Sequence, residues 1–500
     1  MFDAHTIHLS KSRYLSGLQC ELKLWNDAHA RELAAPVTAA QQHLFDVGKV
    51  VGRQAQRRYP GGVAVEADYL HFGDALAQTS VLQADPHVPA IYEAALTHRG
   101  ATTRVDILAR SGTDAWDLIE VKSTLSVKDT HINDLSVQYW IAAHAGLTIR
   151  NAGLLTLNKE YVYPGGPYDV EALFAFHDRT EWIRRMAELV GQNVDKFLQI
   201  LHGAASPDIR PGDHCFNPYP CPYYQACTRD MVLPEHPIEQ LPALNAERRM
   251  RLLARGIVAI QDIPEDFSLS GLQSRVRRSI IDGAEYISAG LAASLNAPEF
   301  PIHHLDFETF MPALPRYPGT HTYQALPFQW SNHIETAGGE VFHDEYLSDQ
   351  DADPRLEFAR TLLDTLADRG TICIYSPYER RIIAELASAL PALAPRLEAL
   401  EGRFWDLCAV IKDDYYHPDF GGSFSLKKVL PALVPEMSYS GLDIQDGDAA
   451  SRSYLEAIES ADLGKRDKIL AHLRTYCGQD TLALVRLRHT LRARVAAHGK

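Results

Sequence analysis

The chain has no apolar run long enough to span a bilayer, which argues against a membrane-crossing helix and against a membrane partner. Its opening, MFDAHTIHLSKSRYLSG, lacks the charged segment and following apolar segment of a secretory signal, so export is not expected. Cysteine is scarce. Seven scattered residues, an odd number, argue against a disulfide framework and for a reducing compartment, so a cytoplasmic location is expected. Positive charge is also in deficit, with 49 Lys and Arg against 64 Asp and Glu and a net charge of -15. A protein that coats nucleic acid would be basic, so that class is disfavoured. An enzyme that concentrates carboxylates at metal sites is not excluded. Internal repeats, low-complexity tracts and helicase motifs are absent, and Gly421-Gly422 beside Lys427-Lys428 does not form a P-loop pattern. What is present is the 46% hydrophobic content of a folded protein. At 500 residues the chain exceeds one ordinary core, so two or three domains are expected.

The pattern of segments indicates an α/β protein. Within residues 1–232, AAQQHLFDVGKVVGRQAQRRY has helical spacing, and AIYEAALTHRGATTRVDILARSGTDAWDLIEVKST reads as strands broken at Gly100 and at Ser111-Gly112. INDLSVQYWIAAHAG returns to helical periodicity and stops at a glycine, and NAGLLTLNKEYVYPGG reads as a further strand. Residues 233–295 look helical and partly basic. From 296 to 500 a second α/β region begins, with FPIHHLDFETF and GTICIYSP as strands among long Ala/Leu/Arg helices.

Two strand segments carry charge where apolar residues are expected. In WDLIEVKST, Glu120 and Lys122 stand two apart and so share one face of a strand, with Asp106 upstream in TTRVDILAR. An E-x-K triplet alone is common on solvated strand faces, but an idle charged pair inside an apolar strand is costly. Hydrolysis of a phosphodiester at neutral pH needs charge stabilisation and an activated water. Carboxylate-held divalent cations with a nearby lysine supply both. Cys215, Cys221 and Cys227 lie in one Pro/Tyr-rich segment, and Cys20 lies far upstream in YLSGLQCELKLW. Four thiolates suit either an iron–sulfur cluster or a structural zinc.

Taken in order, LSGLQC, RVDIL, IEVKS, VQYW and C-x5-C-x5-C resemble the PD-(D/E)XK nucleases of the RecB type. The likeness is to the group with an iron–sulfur staple, which includes CRISPR-associated and AddB-type exonucleases. The resemblance implies Cys20, Cys215, Cys221 and Cys227 as ligands of a 4Fe-4S cluster, with structural Zn2+ as the alternative. It also implies Asp106 and Glu120 as metal ligands, Lys122 as the motif lysine and Gln138 as a substrate-contacting residue. Glu93 would match a further acidic position. The chain departs from that pattern at Gly52, where a metal-binding His is usual, at Ala142, where a Tyr is expected, and in its looser cysteine spacing.

In HHLDFETF, Asp306 and Glu308 again share a strand face, now as like charges that repel unless a proton or a cation intervenes. In RTYCGQDTLALV, Tyr476 and Asp480 are four apart and lie on one helix face. D-x-E early and Y-x3-D late resemble the DnaQ-like, RNase H-fold exonucleases of the DEDD class, in the tyrosine variant. That resemblance implies Asp306, Glu308 and Asp480 as metal ligands and Tyr476 as the group that orients the attacking water. Glu379 in CIYSPYERR is the candidate fourth acid, with Asp406 in FWDLC as the reserve.

The whole chain is similar to an uncharacterised bacterial family that fuses these two units. The expectation is a PD-(D/E)XK domain at 1–232, a helical linker at 233–295 and an RNase H-like domain at 296–500. The linker resembles a helix–hairpin–helix, with Arg248, Arg249, Arg251, Arg255, Arg275, Arg277 and Arg278 as phosphate contacts, but a solvated helical linker fits it equally well. Cys373, Cys408 and Cys477 read as small core residues. The resulting reading is a nuclease dependent on Mg2+ or Mn2+, acting on DNA rather than RNA in repair, recombination or defence, with a helicase as a candidate partner. The alternative is a non-catalytic adaptor that grips nucleic acid with one or both folds.

Overall fold

The computed structural model describes residues 7–498. It divides into two compact units, Met1–Met231 with Pro312–Gln324 and Val232–Met311 with Ala325–Lys500. Both are mixed α/β, as the alternating segments lead one to expect.

Unit 1 is built on a seven-stranded sheet. β1 (Leu9–Ser10), β2 (Val63–Ala64), β3 (Ala90–His98), β4 (Ala101–Arg110), β5 (Ala115–Lys122), β6 (Thr148–Leu157) and β7 (Phe174–Asp178) supply its strands. β2 to β7 lie in sequence order, and β1 pairs with β4. β3 and β4 form a hairpin in which His98 faces Ala101. Arg99 and Gly100 both have positive φ (48° and 83°), the backbone that matches a two-residue turn to the twist of its strands. β5 and β6 run parallel, so a crossover is required, and helix Asp129–His144 provides it. Along β5 the side chains alternate. Leu118 joins Leu135, Trp140, Val194 and Phe197 in one core, while Ile119 joins Val51, Ala55 and Leu155 on the other face. Val51 and Ala55 come from helix Ala39–Gln56, whose start is fixed by a Thr38–Gln41 capping box. Ala313 joins that second core, and Leu314 and Tyr323 pack against it.

Unit 2 has a five-stranded sheet in the order β11-β10-β9-β12-β13. Its strands are β9 (Ile302–Phe310), β10 (Leu326–Glu335), β11 (Val341–Leu347), β12 (Thr371–Ile374) and β13 (Phe404–Asp406), and β8 (Tyr286–Ile287) pairs separately with β14 (Tyr415–Tyr416). β9 is central, antiparallel to β10 and parallel to β12. Its odd residues Leu305 and Phe307 enter a core with Phe358, Leu362, Ile372 and Ile374. Strand alternation therefore turns Asp306, Glu308 and Phe310 to the opposite face. There Phe310 and Phe328 pack on Tyr454, the latter stacked at 3.9 Å. The 36-residue helix Leu463–His498 covers this face, burying Leu473, Tyr476, Cys477, Asp480, Leu484, Leu487 and Leu491 at helical spacing. Arg488 Nη1 anchors that helix to β10 through Glu335, at 3.2 and 3.0 Å.

The stretch 233–295 falls within unit 2. Its helices are Ala246–Ala254 and Gly271–Asp282, and some of its arginines are engaged internally. Arg277 donates twice to the Ile263 carbonyl at 3.1 and 2.7 Å, and Arg275 lies 5.3 Å from the centre of the Tyr286 ring. Gly422, with φ of 78°, lies so close to the Gln240 backbone that a Cβ would come within 1.7 Å of its carbonyl oxygen. This contact sets the loop that leads into helix Leu426–Leu433 and so places Lys427. Among the described residues, no helix is long and apolar enough to cross a membrane.

Candidate functional site

In unit 1 the E-x-K pair touches as strand geometry requires, with Lys122 Nζ donating to Glu120 Oε1 at 2.7 Å. Lys122 also donates to Asp134 Oδ2 at 2.5 Å. Asp134 lies one turn before Gln138 on helix Asp129–His144. Gln138 is fully buried, and its Nε2 donates to Glu120 Oε2 at 2.7 Å and to Asp134 Oδ1 at 3.0 Å. The residue expected to contact substrate is thus turned toward the carboxylates. A second lysine completes the group. Lys11, at the start of helix Lys11–Gln19, donates to both Glu120 oxygens at 3.1 and 3.3 Å.

Asp106 on β4 accepts the Val121 N–H at 2.7 Å. It shares a cavity of about 450 Å³ with Glu120, Lys122 and Glu93, and with Lys49, Gly52 and Arg53 of helix Ala39–Gln56. At Gly52 a Cβ would meet open space. Burial and the Glu120 charge push Asp106 up to about 8. Burial opposes ionisation of Glu120 too, but Lys11 and Lys122 outweigh it and hold that carboxyl well below its usual range.

The four cysteines expected to act together do converge. Cys20, Cys215, Cys221 and Cys227 line one cleft beside Pro211 and Tyr223. The Cys221 N–H donates to the Cys215 carbonyl at 2.7 Å, and the Gly212 N–H points at Cys215 Sγ at 3.5 Å. Gln19 ties helix Lys11–Gln19 to this segment by donating to the His214 and Tyr219 carbonyls, both at 2.7 Å. Burial raises the Cys221 and Cys227 thiols, and neighbouring Cys215 and Cys20 add to both shifts.

In unit 2, residues far apart in sequence meet on the face of β9. Asp306 and Glu308 feel the like charges of Asp480 and Glu379. Asp306 is pushed well above the carboxylate range by burial, then by Asp480, Glu308 and Glu379. Glu308 moves the same way through burial and Asp480. Glu379, in the first turn of helix Tyr378–Ala389, is pushed up to about 8 by burial, with Asp406 adding to it. Burial raises Asp480 to about 6 against the hydrogen bonds of Tyr439 and Tyr476 and the charge of Lys427. Tyr439 donates to Asp480 Oδ1. The Tyr476 hydroxyl is pushed far above its ordinary value by burial and the surrounding acids, so it stays protonated at neutral pH and can donate and orient. Asp406, the reserve acid, caps its own helix by accepting the Ala409 N–H at 3.0 Å.

Several members of these groups were not picked out from the sequence. Asp134 had a usable signal, four residues before Gln138 on the same helical face. Lys11, Tyr439 and Lys427 had none, since only tertiary folding brings them in. Lys427 lies 5.9 and 6.0 Å from the Tyr439 and Tyr476 ring centres. Cys477, read as a small core residue, is buried as expected but lies against Asp306, its Sγ 3.7 Å from Oδ2.

Comparison with known proteins adds little to this geometry. A family model described as a domain of unknown function, DUF2779, matches residues 303–425. No curated protein matches the chain. The crystal structure of SSO0001 is 13% identical over 41% of this chain and 88% of its own, with a TM-score of 0.19, a likeness too slight to carry an argument.

Proposed function

We propose that the protein is a divalent-metal-dependent nuclease, with an RNase H-like DEDD exonuclease centre in unit 2 and a PD-(D/E)XK fold in unit 1. The observation that carries this reading is the convergence of D-x-E on β9 with Y-x3-D on helix Leu463–His498. Asp480 and Glu379 there raise the proton affinity of both Asp306 and Glu308, while a protonated tyrosine borders the acids. A buried set of like-charged oxygens is the donor chemistry that Mg2+ or Mn2+ takes. Asp306, Glu308 and Asp480 would hold the metal, with Glu379 as the fourth acid, and a metal bound there would supply Lewis acidity and an acidified water. Tyr476 and Tyr439 fix the Asp480 carboxylate, and Tyr476 would orient the attacking water by its hydroxyl. Lys427 brings positive charge for a phosphate.

In unit 1, Asp106 and Glu120 fit a divalent ion once Lys11 releases Glu120, and Lys49 and Arg53 line the cavity with charge suited to a DNA backbone. The cysteine cleft fits a 4Fe-4S cluster, with structural zinc as the rival occupant. Protein purified without oxygen will be brown in the first case and colourless in the second. The hold of Lys11 on Glu120 and the missing His at Gly52 favour a second reading for unit 1 alone, an adaptor that grips nucleic acid without cutting it. Incubation with Mn2+ and end-labelled single- and double-stranded DNA and RNA tests both readings. Asp306→Ala abolishes cleavage if unit 2 cuts, and Lys122→Ala leaves it intact if unit 1 only binds. Loss of cleavage in neither variant overturns the site assignment.

A further inference from the structure

The nuclease reading assigns no role to Cys477, although its thiol, on helix Leu463–His498, lies against Asp306 and donates to its carboxylate. Among the described residues, Asp306, Glu308 and Cys477 are the set whose ligand atoms all lie within 4.8 Å of one another. The Cys477 Sγ to Asp306 Oδ2 separation is 3.7 Å. A tetrahedral ion bonded to sulfur at about 2.3 Å and to oxygen at about 2.1 Å holds the two atoms roughly 3.6 Å apart, so this gap already has the span of one shared ion. A second observation points to a ligand. Glu308 is only 6% exposed, yet its carboxylate accepts no hydrogen bond among the described residues. Buried carboxylates left without donors are rare unless a cation completes them. Thiolate sulfur is a soft donor, and it shifts preference from Mg2+ toward Zn2+, Co2+ and Cd2+.

We propose that Cys477 is a third ligand, beside Asp306 and Glu308, of a cation site that prefers thiophilic divalent metals to Mg2+. The proposal rests on the metal-binding part of the reading above and specifies which ions that site selects. Coordination replaces the S–H proton, which leaves to solvent as the ion binds.

The test uses the full-length protein, with its cysteine cleft as purified, titrated with Co2+. The wild type will show a near-ultraviolet thiolate-to-Co2+ charge-transfer band that disappears in Cys477→Ser and also in Asp306→Asn. A band arising from the four-cysteine cleft of unit 1 would not depend on Asp306. Competition titrations will show that the preference for Cd2+ over Mn2+ falls at least tenfold in Cys477→Ser. Cys477→Ala, checked by circular dichroism melting, must repeat the result, so that a folding defect in one variant does not decide the matter. A band that is lost in Asp306→Asn but survives Cys477→Ser, or an unchanged Cd2+ to Mn2+ ratio, overturns the inference. If Mn2+ binding needs Asp306 but no sulfur band appears, this inference alone falls. If Mn2+ binding is indifferent to Asp306, the nuclease reading of unit 2 falls with it.

Discussion

In unit 1 the buried Glu120 meets two ammonium groups, Lys11 at 3.1 Å and Lys122 at 2.7 Å, and Gln138 fills what remains of its hydrogen-bonding capacity. In unit 2 Asp306 is half-buried and Glu308, Glu379 and Asp480 are buried, and Lys427, which lies over two tyrosine rings, acts on Glu308 and Asp480. Removing a carboxylate from water is costly unless it is paired, protonated or bound to a cation. Unit 1 carries the compensation in its own sequence. Unit 2 leaves it to protons at low pH and, on the reading above, to a divalent ion at neutral pH. Similar strand motifs, two charged side chains on one face, thus lead to opposite electrostatic designs.

The comparison can be broken most directly by activity. On the nuclease reading, Asp306→Ala should lower cleavage of an end-labelled substrate by at least about 10²-fold, because it removes a proposed metal ligand. Glu120→Gln should have a much smaller effect if unit 2 does the cutting. An equal loss in both variants would erase the distinction between the units.

Stability sharpens the contrast, because the two substitutions are expected to differ in sign. Glu120→Gln leaves the half-buried Lys11 and Lys122 with Asp134 as their remaining carboxylate partner and should destabilise unit 1 by about 2 kcal/mol in urea unfolding. Asp306→Asn relieves repulsion and should stabilise metal-free unit 2 by about 1 kcal/mol. The pH dependence follows from the same shifts. Glu379 and Asp480, raised to about 8 and about 6, hold protons in the folded state that the unfolded chain releases near pH 4. Metal-free unit 2 should therefore lose stability as pH rises from 4 to 8, and Mn2+ should restore it. Glu120, held below its usual value, gives unit 1 stability that is present above pH 4 and lost on further acidification, although Asp106, raised to about 8, partly offsets this. Thermal melts across pH, with and without Mn2+, read both trends. The smallest effect expected is that of Tyr439→Phe. Loss of one donor to Asp480 should cost about 1 kcal/mol and weaken Mn2+ binding several-fold in calorimetry.

The parts of each centre that follow a local period were legible in the sequence. Asp306 with Glu308, and Glu120 with Lys122, obey the two-residue period of a strand. Tyr476 with Asp480 obeys the four-residue spacing of a helix face, and the mixed α/β class follows from the alternation of such segments. Partners brought in by tertiary folding were not legible. Lys11 sits 109 residues from Glu120, and nothing in its surroundings marks it. Tyr439 lies 41 residues before Asp480 in a Pro- and Ser-containing loop. Cys477 was read as a small core residue and is buried as such, but its contact with Asp306 was not legible because the two are far apart in sequence. Gln138 was found, but its direction was not, because a helical position alone does not tell whether an amide faces substrate or a buried carboxylate.

The most direct measurement is Mn2+ binding by isothermal titration calorimetry at pH 7.5, on the wild type, Asp306→Asn and Glu120→Gln, each shown to be folded. The account predicts that Asp306→Asn loses the tightest Mn2+ site and that Glu120→Gln retains it. Wild-type affinity in Asp306→Asn, or loss of that site in Glu120→Gln, would contradict it.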